Sequence, residues 1–514
     1  FKEKHFLSIY VGHEVSEYKS NSNYVRYPEY DPEKGLMGVP DIDGVEDVKK
    51  KILNLLDGLS ESRNRSVSFF VSGSYSFLDR YVVAGSIRMD GADIIGTANR
   101  FSPLWNASFK YNVYEEGFMK KISWLDELAF RLSYGYTGSI DKNALPFGVM
   151  TFMSTDEYFG YDIPTYIQPK NPSVKWQKKE DRSVGVDFAL LNRRIRGTVN
   201  YYNNVTRNLL DTKNLPISVG VSSIKYNSSS VRNYGWEFSM NSQVLRTREL
   251  FWKVDFNVGM NKSKVIKTYY KDISEVPKGY DKTTPVEGAS TNAWFGYRFA
   301  GIDPRTGHTL AFVDNSERDK PVGYQREDGR WVLDMDDVVN KDRESIKENL
   351  GNSYPTVNGG FRTNLAWKNF TFDANFTFML GHKITAAYYA TSAGGMVSSA
   401  SQNVLRKETT RWRKPGDITD IPVYSAGGEF SSLYSEWYDL KLESGDFLKC
   451  TSISLGYRVP SKICQKFSLT SLRVNFNVRD VFTISGYSGL DPENFGGFSY
   501  PNSKKYMISL NIGI

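Results

Sequence analysis

The residues that could do chemistry in this sequence are few and scattered. The four histidines, His5, His13, His308 and His382, have no second ligand at the spacing that metal sites use. The sequence contains no Ser-His-Asp order, no zinc signature and no glycine-rich phosphate loop. Because no nucleophile has a histidine partner, the sequence predicts a protein that binds rather than one that catalyses.

The two cysteines, Cys450 and Cys464, could pair in an oxidising compartment. Two cysteines in 514 residues do not make a disulfide scaffold, which favours two unlinked thiols. The net charge of +7 comes from 65 basic and 58 acidic residues and is spread in pairs such as Arg193-Arg194. Because nucleic-acid binding needs a clustered basic footprint, these pairs are predicted to be strand-end or turn charges.

One acidic region has side chains that could hold a cation. Alternating carboxylates and amides in a loop are the ligands that Ca²⁺ prefers. The candidates for Ca²⁺ are Asp334, Asp336 and Asp337, preceded by Asp314, Asn315 and Asp328. Residues 316–318 interrupt the spacing of these candidate ligands, which favours a solvated loop over a Ca²⁺ site. No other cofactor is predicted.

Aromatic side chains in the long polar segments could form a ligand site. Stacking on a flat ring is one way to bind a sugar, although packing between loops would select the same residue types. Both interpretations stay open for Tyr158, Tyr161, Tyr166, Trp294, Tyr388 and Tyr389.

The elements that would position these residues alternate with a period of two. In segment 361–378, Phe361, Leu365 and Trp367 share one face, and Arg362 and Asn364 share the other. After the turn at 368–369, a phenylalanine-rich face and a polar face alternate again. The strands approach the roughly 9–11 residues that cross a bilayer when tilted, and exceed the strands of a soluble sandwich.

About fourteen such strands follow one another, and no apolar run is long enough for a membrane helix. Connections of two to five residues alternate with long polar segments, 16–62, 138–178, 205–230, 262–292 and 381–445. The sequence therefore predicts an all-β transmembrane antiparallel barrel with short periplasmic turns and long extracellular loops.

Several segments together resemble one known family, the SusC-like (SusC/RagA) TonB-dependent transporters of the Bacteroidetes outer membrane. They include NYGWE at 233–237, GIDPRTG at 301–307 and YPTVNGG at 354–360. Further segments of the resemblance are 66–90, 99–101, 411–417, 419–422, 447–449, 453–457, 481–484 and 491–493.

The resemblance implies a 22-stranded barrel that is energised through TonB and imports oligosaccharides or oligopeptides with a SusD-like surface lipoprotein. Residues 1–514 are expected to be its C-terminal portion, with the N-terminal plug and TonB box outside this sequence. No signal peptide is visible at Phe1, so the sequence is expected to begin inside a longer polypeptide, and Ile514 departs from the family's closing aromatic residue. The alternative is a passive outer-membrane porin or adhesin barrel without energy coupling.

Overall fold

The computed structural model describes residues 4–24, 30–31, 35–36, 58–96, 99–141, 147–155, 162–168, 170–216, 218, 221, 223–275, 285–316, 318–337, 343–386, 388–389, 406–423, 436, 438–494 and 501–514. Within these residues the secondary structure is dominated by β-strands. In chain order the strands are β1 His5–Tyr24, β2 Tyr30–Asp31, β3 Gly35–Leu36, β4 Gly58–Phe77, β5 Tyr81–Ala92, β6 Phe101–Asn112, β7 Leu125–Ser139, β8 Val149–Thr155, β9 Asp162–Gln168, β10 Gln177–Leu190, β11 Ile195–Asn214, β12 Ser223–Arg246, β13 Leu250–Lys267, β14 Ala293–Gly296, β15 Phe299–Ile302, β16 Thr309–Val313, β17 Tyr324–Gln325, β18 Trp331–Asp334, β19 Glu348–Asn352, β20 Val357–Trp367, β21 Phe370–Leu380, β22 Lys383–Thr385, β23 Leu442–Ser444, β24 Phe447–Arg458, β25 Ser471–Ser485 and β26 Lys505–Gly513.

The helices in the described part of the chain are short. One α-helix, α1, spans Ser461–Lys466. The 3₁₀ helices are Val113–Glu115, Met119–Lys121, Ile273–Glu275, Arg343–Ile346, Arg406–Thr410, Asp439–Lys441 and Pro492–Asn494. None of the helices in these ranges has the length and apolar character needed to cross a membrane.

Fourteen strands form one antiparallel sheet, which we call the wall. Its order is β1-β4-β5-β6-β7-β10-β11-β12-β13-β20-β21-β24-β25-β26. Consecutive wall strands are therefore neighbours throughout, as expected of an up-and-down barrel wall. The predicted all-β class and the predicted number of wall strands in this chain are confirmed.

The two faces of the wall differ as the sequence alternation predicts. In the β20–β21 hairpin, Phe361 pairs with Phe376, and their rings stack at 4.5 Å between centroids. On the other face, the Arg362 guanidinium donates to Asp373 at 2.7 Å, and Asn364 donates to the same carboxylate at 2.8 Å. One face is apolar, and the other satisfies its polar groups across strands.

The same division holds along the wall. On the polar face of β7, Arg131 donates to Asp187 of β10 at 2.8 Å and to Asn200 of β11 at 2.9 Å. On the apolar face, Trp236 of β12 packs on Tyr201 of β11 at 5.0 Å between centroids. A charged side chain next to lipid is costly, so placing these ion pairs on one face leaves the other suited to lipid.

The two ends of the wall are unequal. Connections 78–80, 113–124, 191–194, 247–249, 368–369 and 459–470 lie at one end, which we call the short-turn end. Connections 25–57, 93–100, 140–176, 215–222, 268–356, 381–446 and 486–504 lie at the other, the long-loop end. The predicted asymmetry is present, but β11 and β12 pair through most of the predicted loop 205–230.

The cysteines lie near opposite ends of β24. Cys450 is in the strand near the long-loop end, whereas Cys464 lies on α1 beyond its short-turn end. Both thiols are buried and free. The interpretation of two unlinked thiols is confirmed.

Candidate ligand-binding site at the long-loop end

Two long connections fold together at the long-loop end. We call described residues 285–316, 318–337 and 343–355 of the first, together with 406–423, 436 and 438–441 of the second, the loop cluster. Strands β15, β16, β18 and β17 form a small sheet in the first connection. Tyr297, Ala311, Leu333 and Met335 are fully buried there, and Tyr438 from the second connection completes the same core. The loop cluster therefore has an apolar core separate from the wall.

Hydrogen bonds between backbone groups, and between backbone and side chains, fix the two connections to each other. The Phe299 N–H donates to the Asp439 carboxylate at 2.9 Å, and the Asp439 N–H donates to the Tyr297 carbonyl at 3.0 Å. Further along, the Trp412 indole N–H donates to the Pro304 carbonyl at 3.0 Å. These bonds join segments more than 100 residues apart in sequence, so the cluster presents a defined surface.

An open cleft of about 860 Å³ lies in the loop cluster. Phe299, Phe312 and Trp331 contribute apolar rings to its lining, and Arg298, Arg330 and Glu348 contribute charges. Apolar rings beside a few charged groups are the usual composition of a small-molecule site. The cleft is the candidate ligand-binding site.

The charged groups of the cleft are held in place by their neighbours. Arg298 forms an ion pair with Glu348. The Arg330 guanidinium carbon lies 4.6 Å from the centre of the Phe312 ring. The Nη2 atom of the same guanidinium pairs with the Asp328 carboxylate at 2.7 Å. The cleft therefore presents fixed cations and apolar ring surface together.

Asp314 in the cleft lining and Asp328, which pairs with the lining residue Arg330, both have a lowered pKa. Hydrogen bonds from the Ser316 hydroxyl and backbone N–H lower the pKa of Asp314. Hydrogen bonds from the Arg330 side chain and backbone lower the pKa of Asp328. Both groups are therefore ionised at neutral pH, and the cleft offers both signs of charge to a ligand.

The predicted calcium residues follow this sheet closely. Asp334 accepts hydrogen bonds from the backbone N–H groups of Asp336 and Asp337 at 3.0 and 3.2 Å, and its other oxygen lies 2.9 Å from His308 Nδ1. Asp336 accepts from the Thr309 N–H at 2.7 Å. In the part of the chain that the structure describes, no three His, Cys, Asp or Glu side chains are arranged to hold a metal ion. Calcium binding stays a prediction.

Of the predicted loop aromatics, those whose side chains the structure describes, Trp294, Tyr388 and Tyr389, do not line the cleft. Tyr158 and Tyr161 lie outside the described residues, and Tyr166 lies on β9 opposite Met150. Trp294 of β14 donates its indole N–H to the Lys383 carbonyl at 2.9 Å, which ties the loop cluster to β22. Trp294 is not among the residues that line the cleft, and its ligand role is untested.

Tyr388 and Tyr389 form a separate pair. Their rings make an edge-to-face contact at 4.7 Å, and the Lys407 ammonium lies 4.6 Å from the Tyr388 ring. Neither ring lines the cleft. A lysine on an aromatic ring is already a satisfied contact, so this arrangement accounts for the pair through packing between loops.

The sequence analysis missed the residues that do line the cleft. Trp331 follows the turn at Gly329 on a four-residue strand, and Arg298 lies just before β15. No periodicity marks these positions, because the cleft is made by tertiary contacts between short strands. The one available signal was an isolated tryptophan in a charged loop.

Comparison with known proteins identifies the family. Residues 6–335 match the family described as TonB dependent receptor-like, beta-barrel. This chain belongs to that family. It is an outer-membrane β-barrel protein of a transporter and receptor family, so the predicted location and the predicted fold class are confirmed.

Individual relatives agree with this assignment. TonB-dependent receptor SusC of Bacteroides thetaiotaomicron is 26% identical over 88% of this chain and 44% of SusC. TonB-dependent receptor P3 of Formosa agariphila is 25% identical over 87% of this chain and 43% of P3. The chain spans about half the length of these relatives.

Solved structures agree on the fold. The structure of the RagAB peptide transporter aligns with a TM-score of 0.76 at 22% identity, covering all of this chain and 54% of the matched chain. The same transporter described in an open-open state aligns with a TM-score of 0.72. The wall therefore has the fold of the corresponding part of the RagAB chain.

Proposed function

We propose that this chain is the barrel wall and loop cluster of an active outer-membrane importer for oligosaccharides or oligopeptides. Membership of the TonB-dependent receptor family supports import, and similarity to SusC supports a SusD-like lipoprotein as the partner. The structural similarity to the RagAB peptide transporter supports peptides as one substrate class. Energy would come through TonB, as membership of the TonB-dependent receptor family supports.

The observation that carries this proposal is the cleft in the loop cluster. A polar oligomer has apolar ring or side-chain faces and many hydrogen-bonding groups. The Trp331 and Phe312 rings could contact the apolar faces, and Arg298 and Glu348 could bind the hydrogen-bonding groups. Because both connections lie at the long-loop end, a ligand in the cleft would be at the mouth of the barrel and under a lipoprotein lid.

The orientation follows from the same asymmetry. Long loops at the outer surface and short turns in the periplasm are usual for bacterial barrels. The plug and TonB box would belong to the part of the full polypeptide that this chain does not include. Relatives about twice as long as this chain support that arrangement.

Calorimetry on the full-length protein with its lipoprotein would test the cleft. Pools of oligosaccharides and of oligopeptides would be titrated separately, and the pool that binds would identify the substrate class. Trp331→Ala removes the ring surface, and we expect affinity to fall about tenfold or more, as for a buried aromatic hot spot. Phe118→Ala is the matched control, because Phe118 is exposed at the short-turn end. Equal affinity in both variants would exclude the cleft as the site.

A transport measurement separates the importer from the passive porin or adhesin. Uptake of the binding pool should stop when TonB is deleted and should require the lipoprotein. Steady ion conductance through the full-length protein in a planar bilayer, with uptake independent of TonB, would instead indicate a passive porin.

A further inference from the structure

The short-turn end of the wall forms a continuous edge. The Leu191 N–H donates to the Trp124 carbonyl at 2.8 Å, and the Gln243 N–H donates to the Arg194 carbonyl at 2.7 Å. The series continues with Lys368 N–H to Glu249 carbonyl at 2.7 Å. Since each turn is bonded to its neighbour, side chains from turns far apart in sequence lie along one line.

Positive charge collects on part of this edge. We call residues 191–194, 246–249, 368–369 and 458–470 the basic arc. It contains eight basic side chains and one acidic side chain, Glu249. The basic residues are Arg193, Arg194, Arg246, Arg248, Lys368, Arg458, Lys462 and Lys466. The charge that looked dispersed along the sequence is therefore concentrated by the fold.

The preceding part of the same edge has the opposite balance. Residues 78–80 and 113–127 contain three basic side chains, Arg80, Lys120 and Lys121. They contain five acidic ones, Asp79, Glu115, Glu116, Asp126 and Glu127. The basic arc is thus a local feature of the short-turn end and not a property of all its turns.

The charges of the basic arc are available to a partner. All eight basic residues are exposed. The Lys368 ammonium lies 5.7 Å from the centre of the Trp367 ring. Among described residues, Lys368 has an acidic partner, Glu249 at 3.4 Å, and the other seven basic side chains form no ion pair. The Asp126 carboxylate accepts the Arg193 backbone N–H at 2.9 Å. The arc therefore keeps an excess of positive charge.

Exposed apolar side chains lie in the same turns. Phe467 is 72% exposed and Trp367 is 52% exposed, and Leu191 and Ile463 are also exposed. Trp367 lies on the apolar face of the wall at its edge, whereas the strand register places Arg246 and Arg458 on the polar face. Aromatic and apolar side chains with neighbouring lysines and arginines are the composition found where protein meets the headgroup layer of a membrane.

We propose that the basic arc binds the headgroups of anionic phospholipids in the leaflet that surrounds the short-turn end. Charge complementarity selects a phosphate without a balancing cation, such as that of phosphatidylglycerol. Continuity with the apolar face selects a lipid over a soluble polyanion, because acyl chains would lie on the wall directly below. Basic residues at a membrane surface each contribute to such binding, and salt weakens it.

The test uses the full-length protein in nanodiscs of phosphatidylcholine with a minor fraction of spin-labelled lipid. The association of labelled phosphatidylglycerol with the protein is compared with that of labelled phosphatidylcholine by electron spin resonance. We expect about a threefold or greater preference for phosphatidylglycerol. The variant Arg193→Gln, Arg194→Gln, Arg248→Gln and Lys368→Gln should reduce the preference to nearly one.

The matched control is Arg80→Gln with Lys120→Gln and Lys121→Gln, three neutralised charges in the preceding turns, which should keep the preference. An unchanged preference in the four-residue variant would overturn the proposal. If that variant does not fold, the original protein is measured in 1 M NaCl, where a preference that persists would also overturn it. Neither measurement needs substrate or TonB, so the result is independent of the proposed import.

Discussion

Lys449 shows how a single buried charge holds a loop on the wall. Its side chain is 5% exposed on β24. The ammonium contacts Glu493, and it lies 3.4 Å from Asp480 and 3.7 Å from Asp491. Asp491 and Glu493 belong to the connection after β25. The lysine therefore joins that connection to the wall by charge, and a buried ammonium is tolerated only while it is paired.

Lys449→Met should loosen this connection, because it leaves three neighbouring carboxylates without a cation. We expect the free energy of unfolding to fall by about 3 kcal/mol, the usual cost of removing one partner of a buried ion pair. Hydrogen exchange in residues 486–494 should accelerate. Lys19→Met, which removes an exposed ion pair with Glu61, is the control and should change little. Unchanged exchange in the Lys449 variant would contradict this role.

His382 lies where the two ends of the connection 381–446 meet, and its burial predicts that the stability of this junction depends on pH. Its ring is fully buried, and Nδ1 lies 3.8 Å from Asp446. The Gly445 N–H donates to the His382 carbonyl at 3.0 Å, so the ring sits where the two ends of the connection meet. Burial lowers the pKa of His382, and the nearby Asp446 carboxylate opposes that shift only in part.

Acidification should therefore destabilise the contact between the two ends of this connection. Above the ordinary histidine pKa of about 6.5 the folded and open forms are both neutral, and the stability is fully present. Below it the open form binds a proton that the folded form resists, so stability falls by up to about 1.4 kcal/mol per pH unit. Hydrogen exchange of residues 381–386 and 442–446, corrected for intrinsic rates between pH 7.5 and 5, measures this. His382→Gln should remove the pH dependence; an equally steep loss in that variant would exclude His382.

At the scale of elements, the alternation of residues predicted the hairpins but not their full length. The β20–β21 hairpin was predictable because lipid and lumen demand different side chains at successive positions. β11 and β12 pair beyond that region, at Asn227 and Tyr226, where no such demand exists. Their polar tips are held by strand pairing and by side-chain hydrogen bonds, such as the one from Asn227 Nδ2 to the Asn208 carbonyl at 2.6 Å. These contacts leave no apolar alternation in the sequence, so the tips were predicted as loop.

The same alternation predicts opposite results for neighbouring substitutions. Val71 of β4 is 49% exposed on the apolar face, and Ser72 is the next residue, on the polar face. Val71→Arg would place a charge in lipid and should cost about 2–4 kcal/mol, whereas Ser72→Arg should cost little. The folded fraction of the full-length protein in phospholipid vesicles, followed by heat-modified mobility in a denaturing gel, compares the two. Equal effects would show that the faces are assigned wrongly.

At the scale of the whole molecule, the sequence predicted surfaces less well than strands. The wall depends on pairing between strands that follow one another, which a local pattern reveals. The cleft at Trp331 and the basic arc depend on contacts between segments far apart, as in the hydrogen bond from the Phe299 N–H to Asp439 in the cleft. Residue types alone gave candidate aromatics, but only the fold shows which rings share a surface.

The outer strands of the wall lead to the last prediction. β1 pairs with β4 and β26 pairs with β25, and within the described residues neither pairs with any other wall strand. Phe6 and Ile508 are 67% and 74% exposed. An unpaired edge has free backbone donors and acceptors, which are costly in lipid and promote association with other edges.

Residues 1–514 refolded alone into detergent micelles should therefore form oligomers that dissociate in unheated dodecyl sulfate. The longer polypeptide proposed above should give a monomer that resists dodecyl sulfate until it is heated, since a closed barrel has no edges. Light scattering after size exclusion, together with heated and unheated gels, distinguishes these states. A resistant monomer from residues 1–514 would mean that β1 and β26 close on each other, so that this chain makes a smaller barrel by itself.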